Sequence, residues 1–272
     1  MNQIKRLHDQ HLHSSYSFDS KENIKNYYKL ANELGCGYFV TTEHIEFDSV
    51  YNHQDWTVDF DSLKKDLEKY SKKYPNVVPL LGVELGYRKD KLFEMNNLIN
   101  SQQFDVINMS IHDNGMYDYY MKKDFLEIGV DKMLEIYFNN AIDGVKTFKD
   151  YDVLSHLDYG FKTAYTINNS LNIKDYEHYL IPIFNEIVKD EKVLEINYKV
   201  QKTINDDQHL LDFLSIYKKC GGTKLSFSSD AHFTEQLVDY YNDQEHYINL
   251  IKQAGFSELY YFIKRKEFKY II

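Results

Sequence analysis

Short apolar runs alternate with longer amphipathic segments along this chain. Each run is two to five residues long, and the runs occupy 38–40, 77–81, 106–109, 153–154, 193–196 and 225–227, with 7–11 as a seventh. Runs of this kind are typical of strands that are buried on both faces. The alternation therefore predicts βα units around a parallel sheet.

The amphipathic segments repeat apolar residues at helical spacing. Helices are predicted at about 21–34, 61–74, 131–148, 175–188, 206–219 and 235–254. Ser20 is the predicted N-cap of the first helix, and Gly35 is its predicted end. Seven or eight βα units favour a closed α/β barrel over an open sheet. With three prolines and no Gly/Ser linker, residues 1–272 are expected to form one domain.

Histidines and carboxylates cluster near the ends of the predicted strands. His11 and His13 are two residues apart, so on a strand both imidazoles point to the same face. Similar polar residues follow the other apolar runs, namely His44, Glu84, His112, His156, Asp230 and His232. In parallel α/β folds the functional face lies at the carboxyl ends of the strands. We therefore expect these side chains to converge on one mouth.

The candidate residues have the chemistry of a metal site. With Asp19 they comprise six imidazoles and three carboxylates, a mixture that suits zinc, manganese or iron better than calcium. Nine ligands exceed the needs of one tetrahedral ion, so two or three ions and a bridging carboxylate are predicted. Metal ions about 3.5–4 Å apart can clamp a phosphoryl group during hydrolysis. As an alternative role, Asp19 could cap the following helix.

Composition restricts the expected partners. Lysines and arginines number 32 and acidic residues 42, for a net charge of −10. This charge argues against a nucleic acid or an anionic membrane as the main partner. The sequence has two cysteines and no long apolar run, so we expect neither a disulfide framework nor a membrane span. A cytoplasmic protein, monomeric or homodimeric, is the expectation.

Seven segments carry a resemblance to one family. In chain order, segments 9–14, 17–19, 42–44, 82–86, 110–113, 155–159 and 228–232 resemble motifs of the polymerase-and-histidinol-phosphatase (PHP) family of metal phosphoesterases. The resemblance implies a distorted (β/α)7 barrel with three metal ions in its mouth. It also implies that a hydroxide held between two of these ions, the first and second below, attacks the phosphorus atom of the substrate.

The resemblance further implies how the ligands divide among the ions. The first set would be His11, His13, Glu84 and Asp230. The second would be Glu84, His112 and His156, with Glu84 as the bridge. The third would be Asp19, His44 and His232.

Within the family, the chain resembles the phosphatases that act on L-histidinol phosphate in histidine biosynthesis. The strand 194–197 and the pair Gly221-Gly222 carry this likeness. Two arginines usually bind the phosphate in such proteins, and here Lys162 and Lys199 occupy the matching positions. A lysine supplies a positive charge but lacks the bidentate geometry of arginine.

Other residues have predicted supporting roles. Asp158, His232 or a metal-bound water could protonate the leaving group. Glu46, Asp48 and Tyr117 are candidates for contacts with the ammonium and imidazole of the substrate. Glu43 is expected to orient a neighbour, and the remaining histidines are expected on the surface or on helices.

Two other functions remain compatible with the sequence. A phosphatase or phosphodiesterase of the same fold could act on a different phosphorylated substrate. A non-catalytic metal-binding module is the other alternative, although such a module would be expected to have lost ligands.

Overall fold

The computed structural model describes residues 9–35 and 37–272 as an α/β protein. Its main sheet contains β1 (Tyr38–Ile45), β2 (Val78–Gly86), β3 (Val106–Ser110), β4 (Val153–Leu154), β5 (Val193–Asn197) and β6 (Leu225–Ser228). A separate hairpin contains β7 (Glu258–Ile263) and β8 (Lys266–Ile271). The helices are α1 (Ile24–Leu34), α2 (Phe60–Lys73), α3 (Leu92–Ser101), α4 (Lys122–Ile128), α5 (Val130–Thr147), α6 (Tyr159–Tyr165), α7 (Glu177–Lys189), α8 (Tyr198–Ile204), α9 (Asp207–Lys219) and α10 (Thr234–Gln253).

The six strands of the main sheet are parallel and follow one another in chain order. This arrangement confirms the predicted α/β barrel and all six of the predicted strands in the described residues. Strand β1 extends five residues beyond its apolar run, because Thr41–Ile45 continue the ladder with Leu81–Leu85. His44 therefore lies directly beside Glu84 within the sheet.

The N-terminal segment closes the sheet between its two edges. On one side, the Thr42 amide donates to the Leu12 carbonyl at 2.9 Å. On the other, the His13 amide donates to the Ala231 carbonyl at 2.8 Å, just beyond β6. This segment takes the place of the predicted seventh strand, and residues 7 and 8 of that prediction lie outside the described residues.

The β7–β8 hairpin covers the amino-terminal end of the barrel. Phe262 is 5% exposed and packs among residues that begin the strands, namely Val40, Leu80, Val106, Val153 and Val193. The Gln10 side chain donates to the Phe262 carbonyl and accepts from its amide, at 3.0 and 2.8 Å. This hairpin was absent from the predicted elements, although β7 contains the apolar run 259–263; the charged residues lie mainly in the turn and in β8.

The six predicted helices are present, with one corrected N-cap. The α1 helix begins at Ile24, and the Asn23 side chain accepts from the Lys25 amide at 2.9 Å. The prediction of Ser20 as this cap was wrong, since its hydroxyl donates to the carbonyls of His13 and His232. Gly35 ends the helix with φ of 71°, as predicted.

One close contact positions the loop after β4. The Tyr137 hydroxyl on α5 donates to the Leu157 carbonyl at 2.8 Å. Its ring lies against Gly160, where a Cβ atom would come within 2.6 Å of the ring. Glycine at this position therefore lets α5 hold the segment that contains His156. Among the described residues, no helix combines the length and apolarity needed to cross a membrane.

Candidate metal centre

A cavity of about 330 Å³ opens at the carboxyl ends of the strands. Six of the candidate ligands line it, namely Asp19, His44, His112, His156, Asp230 and His232. The other three, His11, His13 and Glu84, lie beneath these residues and are fully buried. The fold thus brings all nine residues into one mouth.

The Glu84 carboxylate lies at the centre of the cluster. Its Oε2 atom is 3.3 Å from both His11 Nε2 and His13 Nε2. The same oxygen lies 2.8 Å from His44 Nδ1. Three imidazole nitrogens from the N-terminal segment and β1 therefore surround a single oxygen.

The second oxygen of Glu84 faces a different group. Its Oε1 atom lies 2.7 Å from His156 Nε2 and 3.2 Å from His112 Nε2. The Ser110 hydroxyl also donates to Oε1, at 2.5 Å. One carboxylate thus presents each oxygen to a separate histidine group, which is the geometry that a bridging ligand requires.

Asp19 and Asp230 complete the outer part of the cluster. Asp19 Oδ2 lies 2.9 Å from His232 Nε2 and 3.6 Å from His44 Nε2. Asp230 Oδ1 lies 3.3 Å from His13 Nε2 and 3.5 Å from His232 Nδ1. Because Asn23 caps α1, the structure gives Asp19 the site position and not the alternative capping role.

Several of these atoms are close together without forming hydrogen bonds. Among the described residues, the Nε2 atoms of His11 and His13, His44 Nδ1 and Glu84 Oε2 are buried and lack a hydrogen-bond partner. Buried polar atoms are normally paired, and leaving one unpaired costs about 1–3 kcal/mol. The atoms converge on common points instead, as ligands of a cation do. The residues present therefore fit divalent metal ions.

The electrostatics of the cluster agree with this fit. Burial opposes ionisation of Glu84, but the charges of His44 and His11 hold its pKa well below the ordinary value. Burial likewise opposes protonation of His44, yet Glu84 raises its pKa well above the ordinary value. Protonated imidazoles thus balance the carboxylates when no other cation is present. Metal binding would release these protons.

Two glutamates contact the Nδ1 atoms of candidate ligand imidazoles whose Nε2 atoms face Glu84. Glu195 Oε1 lies 2.8 Å from His11 Nδ1, and its Oε2 accepts from the His156 amide at 3.0 Å. Glu46 Oε1 lies 2.5 Å from His112 Nδ1. Such partners fix the orientation of a ligating ring and raise its basicity. Glu195 lies inside the apolar run 193–196 and Glu46 directly follows β1, so a charged residue within or just after a buried strand is the signal that could have suggested them.

Glu43 orients a neighbour, as the sequence suggested. Its carboxylate accepts from the Ser14 amide at 2.9 Å and from the Ser17 hydroxyl at 2.6 Å. Ser17 Oγ in turn lies 3.2 Å from His13 Nδ1. Glu43 thereby acts on His13 through an intervening serine.

The backbone at two candidate ligands is strained. His156 has φ of 23° and Asp230 has φ of 54°, in the left-handed region. Non-glycine residues rarely adopt it, at a cost of order 1–3 kcal/mol, and such strain concentrates at functional sites. At both positions the chain turns sharply out of its strand, which aims the side chain into the mouth.

The two predicted phosphate-binding lysines both line the cavity. Lys162 is 7% exposed, and its Nζ atom lies 3.9 Å from the centre of the Tyr159 ring. Lys199 is less buried, with its Nζ atom 3.6 Å from Asp230 Oδ1 and 3.1 Å from His232 Nδ1. Neither is a solvated surface lysine.

Asp158 does not line the cavity, although the sequence suggested it as a proton donor. Its Oδ2 atom accepts from the Gln201 side chain (Nε2) at 2.6 Å and lies 3.1 Å from His209 Nε2. His209 lies on helix α9, in line with its prediction as a surface or helix histidine, and it is buried and stacks on Phe161. His232, the other suggested donor, lies at the cavity surface.

Of the three residues suggested to contact the substrate amine and imidazole, one lines the cavity and two do not. Glu46 lines the cavity but is engaged by His112. Asp48 and Tyr117 are not among the lining residues. The cavity instead contains Phe18, Trp56 and Asp118, which the sequence did not single out.

Known proteins resemble this chain in sequence and in fold. Over 258 residues, the chain is 26% identical to a histidinol-phosphatase of Lactococcus lactis, covering 94% of each protein. A probable histidinol-phosphatase of Clostridium acetobutylicum is 28% identical over 84% of this chain and 88% of the relative.

A solved structure of the histidinol phosphate phosphatase from L. lactis superimposes with a TM-score of 0.86 at 25% identity. The match covers 98% of this chain and 100% of that one, which was crystallised with zinc, L-histidinol and phosphate. The family model for the PHP domain matches residues 9–199, which include seven of the nine clustered side chains. The chain therefore belongs to the PHP domain family.

Proposed function

We propose that this chain is a metal-dependent phosphatase that hydrolyses L-histidinol phosphate to L-histidinol and phosphate. The observation that carries the proposal is a shared carboxylate, Glu84, between two histidine groups, with two lysines on the same cavity. The full-length similarity to the L. lactis phosphatase supports the choice of substrate. Such an activity would belong to histidine biosynthesis.

We assign the clustered residues to the three ligand sets that the family resemblance implies. The first set is His11, His13, Glu84 and Asp230. The second is Glu84, His112 and His156. The third is Asp19, His44 and His232. Two or three ions of zinc, manganese or iron would be held there, and when bound they would neutralise phosphoryl charge and make water nucleophilic at neutral pH.

The two lysines are placed to bind the phosphoryl group. The Lys162 ammonium lies over the rings of Tyr159 and Tyr120, and among the described residues it forms no hydrogen bond or salt bridge. A buried cation held by aromatic faces retains its hydrogen-bond donors for an anion. Lys199, whose Nζ atom lies 3.6 Å from Asp230 Oδ1, lines the same cavity and supplies a second positive charge.

The proton for the leaving alkoxide is assigned to His232 or to a water in the cavity. Asp158 is too enclosed to reach that oxygen directly. Its backbone carbonyl accepts from the Lys162 amide at 2.8 Å, and its negative charge favours the Lys162 ammonium. We therefore assign Asp158 a positioning role toward Lys162.

Phosphate release by metal-replete protein tests the proposal. The kcat/KM for L-histidinol phosphate should exceed that for p-nitrophenyl phosphate by several hundredfold, about 3.5 kcal/mol in transition-state binding. Chelator-treated protein should lose both activities. Comparable slow rates on both substrates would retain the phosphatase chemistry and reject the substrate.

Two further assays separate the remaining alternatives. Faster cleavage of bis(p-nitrophenyl) phosphate than of the monoester would indicate a phosphodiesterase. Fewer than about two metal ions per chain would indicate a metal-binding module and not a multinuclear hydrolase. The cytoplasmic location and the monomeric or homodimeric state stay predictions.

A further inference from the structure

One carboxylate in the cavity differs from all the others. Asp19, Glu46 and Asp230 contact the clustered imidazoles, and Asp113 Oδ1 lies 3.0 Å from the Arg88 guanidinium. Asp118 forms no salt bridge among the described residues, although it lines the same cavity and the charge of His112 acts on it at longer range. Its Oδ1 atom accepts only from the Tyr120 amide, at 2.8 Å.

Asp118 is held in a fixed position despite lacking a cation. Its backbone pairs with that of Asp113 in an isolated antiparallel β-bridge. Its backbone amide also donates to the Asp124 carboxylate at 3.2 Å. The next residue, Tyr119, is buried, and its amide donates to the His112 carbonyl at 2.9 Å. Burial raises the pKa of Asp118, so a cation brought to it would relieve a desolvation cost.

An aromatic surface forms another part of the cavity wall. The rings of Phe18 and Trp56 stack with their centres 3.3 Å apart, and Phe18 is 51% exposed. Trp56 is fixed by reciprocal backbone hydrogen bonds with Glu46 and by its indole nitrogen, which donates to Asn52 at 3.1 Å. Since Glu46 also contacts His112, the aromatic surface is tied to the metal centre.

We propose that Asp118 and the Phe18–Trp56 pair form the leaving-group subsite of this cavity. Asp118 binds a positively charged amino group, and the ring pair binds a planar ring of the same leaving group. This assignment rests on the proposed function, and it names the residues that select a cationic substrate over a neutral one. A cation against a desolvated carboxylate and a ring against an aromatic face are both favourable contacts.

The first test compares substrates in the variant Asp118→Asn, which keeps the shape of the side chain. Loss of a charge-assisted contact should lower kcat/KM for L-histidinol phosphate by roughly 10- to 100-fold, mainly through KM. The kcat/KM for p-nitrophenyl phosphate should change by less than about threefold. Glu127→Gln, which removes one charge from the exposed face of α4, is the matched control and should change neither value.

The second test measures binding without catalysis. Trp56 is the single tryptophan of the chain, so its fluorescence reports on the aromatic surface. L-histidinol should change this fluorescence, with affinity at least tenfold weaker in Asp118→Asn. 4-(Hydroxymethyl)imidazole, which lacks the amino group, should bind both proteins equally.

The outcomes separate this inference from the proposed function. Equal loss of both substrates in Asp118→Asn, or unchanged L-histidinol affinity, would overturn the role of Asp118. A fluorescence response that is absent with both ligands would overturn the role of the ring pair. If wild-type protein fails to hydrolyse L-histidinol phosphate yet binds L-histidinol through Asp118, the proposed function fails and the subsite stands.

Discussion

The two ends of the barrel are made by the same strands but have opposite chemistry. At the amino-terminal end, Val40, Leu80 and Val106 pack on Phe262 in a small apolar cluster. At the carboxyl end, the same β1 and β2 present His44 and Glu84 to a cavity rich in charge. A few residues along a strand therefore separate a region of packing from a region of polar atoms.

This contrast teaches how stability and function are divided. The apolar end gains free energy from burial and needs no ligand. At the polar end, buried imidazole nitrogens and a Glu84 oxygen lack hydrogen-bond partners, which costs stability unless a cation binds them. The strained backbone at His156 and Asp230 lowers stability further. We expect substitutions at one end to change stability, and substitutions at the other to change metal content and activity.

Replacement of the shared carboxylate should have the largest effect. Glu84→Ala removes the oxygens that face both histidine groups, so metal occupancy should fall and phosphate release should drop by at least about a thousandfold. Metal analysis and a phosphate-release assay measure the two effects. Full activity with unchanged metal stoichiometry would show that Glu84 is not the bridge.

The opposite end of the barrel offers the converse experiment. Phe262→Ala should lower the free energy of unfolding by about 3–4 kcal/mol, since it empties a buried aromatic position. Phe268→Ala, on the partner strand and 42% exposed, is the matched control and should cost under about 0.5 kcal/mol. Denaturant unfolding measures both.

One result would contradict the proposed independence of the two ends of the barrel. If folded, metal-replete Phe262→Ala protein lost activity at a temperature well below its unfolding transition, the ends would be coupled. Retention of kcat/KM within about twofold would support their independence.

The sequence predicted the strands of this barrel and the convergence of the candidate ligands for one physical reason. Fully buried strands require continuous apolar runs, and parallel strands bring residues that follow such runs to one edge. His112 and Asp230 were found in this way although they are far apart in sequence. The family resemblance then divided the ligands into sets.

The elements that the sequence missed depend on tertiary contacts. Phe262 lies in the apolar run 259–263, but its buried position depends on Gln10 and on the residues that begin the strands. Ser20 has the composition of a helix cap, but contacts with His13 and His232 carbonyls compete for its hydroxyl. Asp118 follows no strand directly, so its place in the cavity required the loop conformation.

Loss of a supporting glutamate should have a smaller effect than loss of a ligand. Glu195→Gln keeps the side-chain shape but removes the charge that orients His11. Such changes typically cost 10- to 100-fold in metal affinity or activity. Titration of metal-free protein with zinc measures the affinity, and Glu186→Gln on α7, which does not line the cavity, serves as the charge control. An unchanged zinc affinity would limit Glu195 to a packing role.

Removal of one phosphate-binding charge should act on substrate binding more than on metal content. Lys199→Met should raise KM for L-histidinol phosphate by roughly tenfold, because one charge-assisted contact is lost. Metal stoichiometry should stay unchanged, although Lys199 lies 3.6 Å from Asp230. Unaltered kinetics would contradict a phosphate contact, and a loss of metal would assign Lys199 to the support of Asp230.

The smallest expected effect is a change in pH dependence at Lys162. Burial, together with the charge of Lys199, lowers the pKa of Lys162 to about 8. Its ammonium is therefore present below that pH and is lost as the pH rises through it, with about nine tenths charged at pH 7 and about one tenth at pH 9. The kcat/KM of the wild type should fall over this interval. Arginine remains protonated, so Lys162→Arg should retain its kcat/KM to higher pH, and a fall identical to that of the wild type would assign the titration to another group.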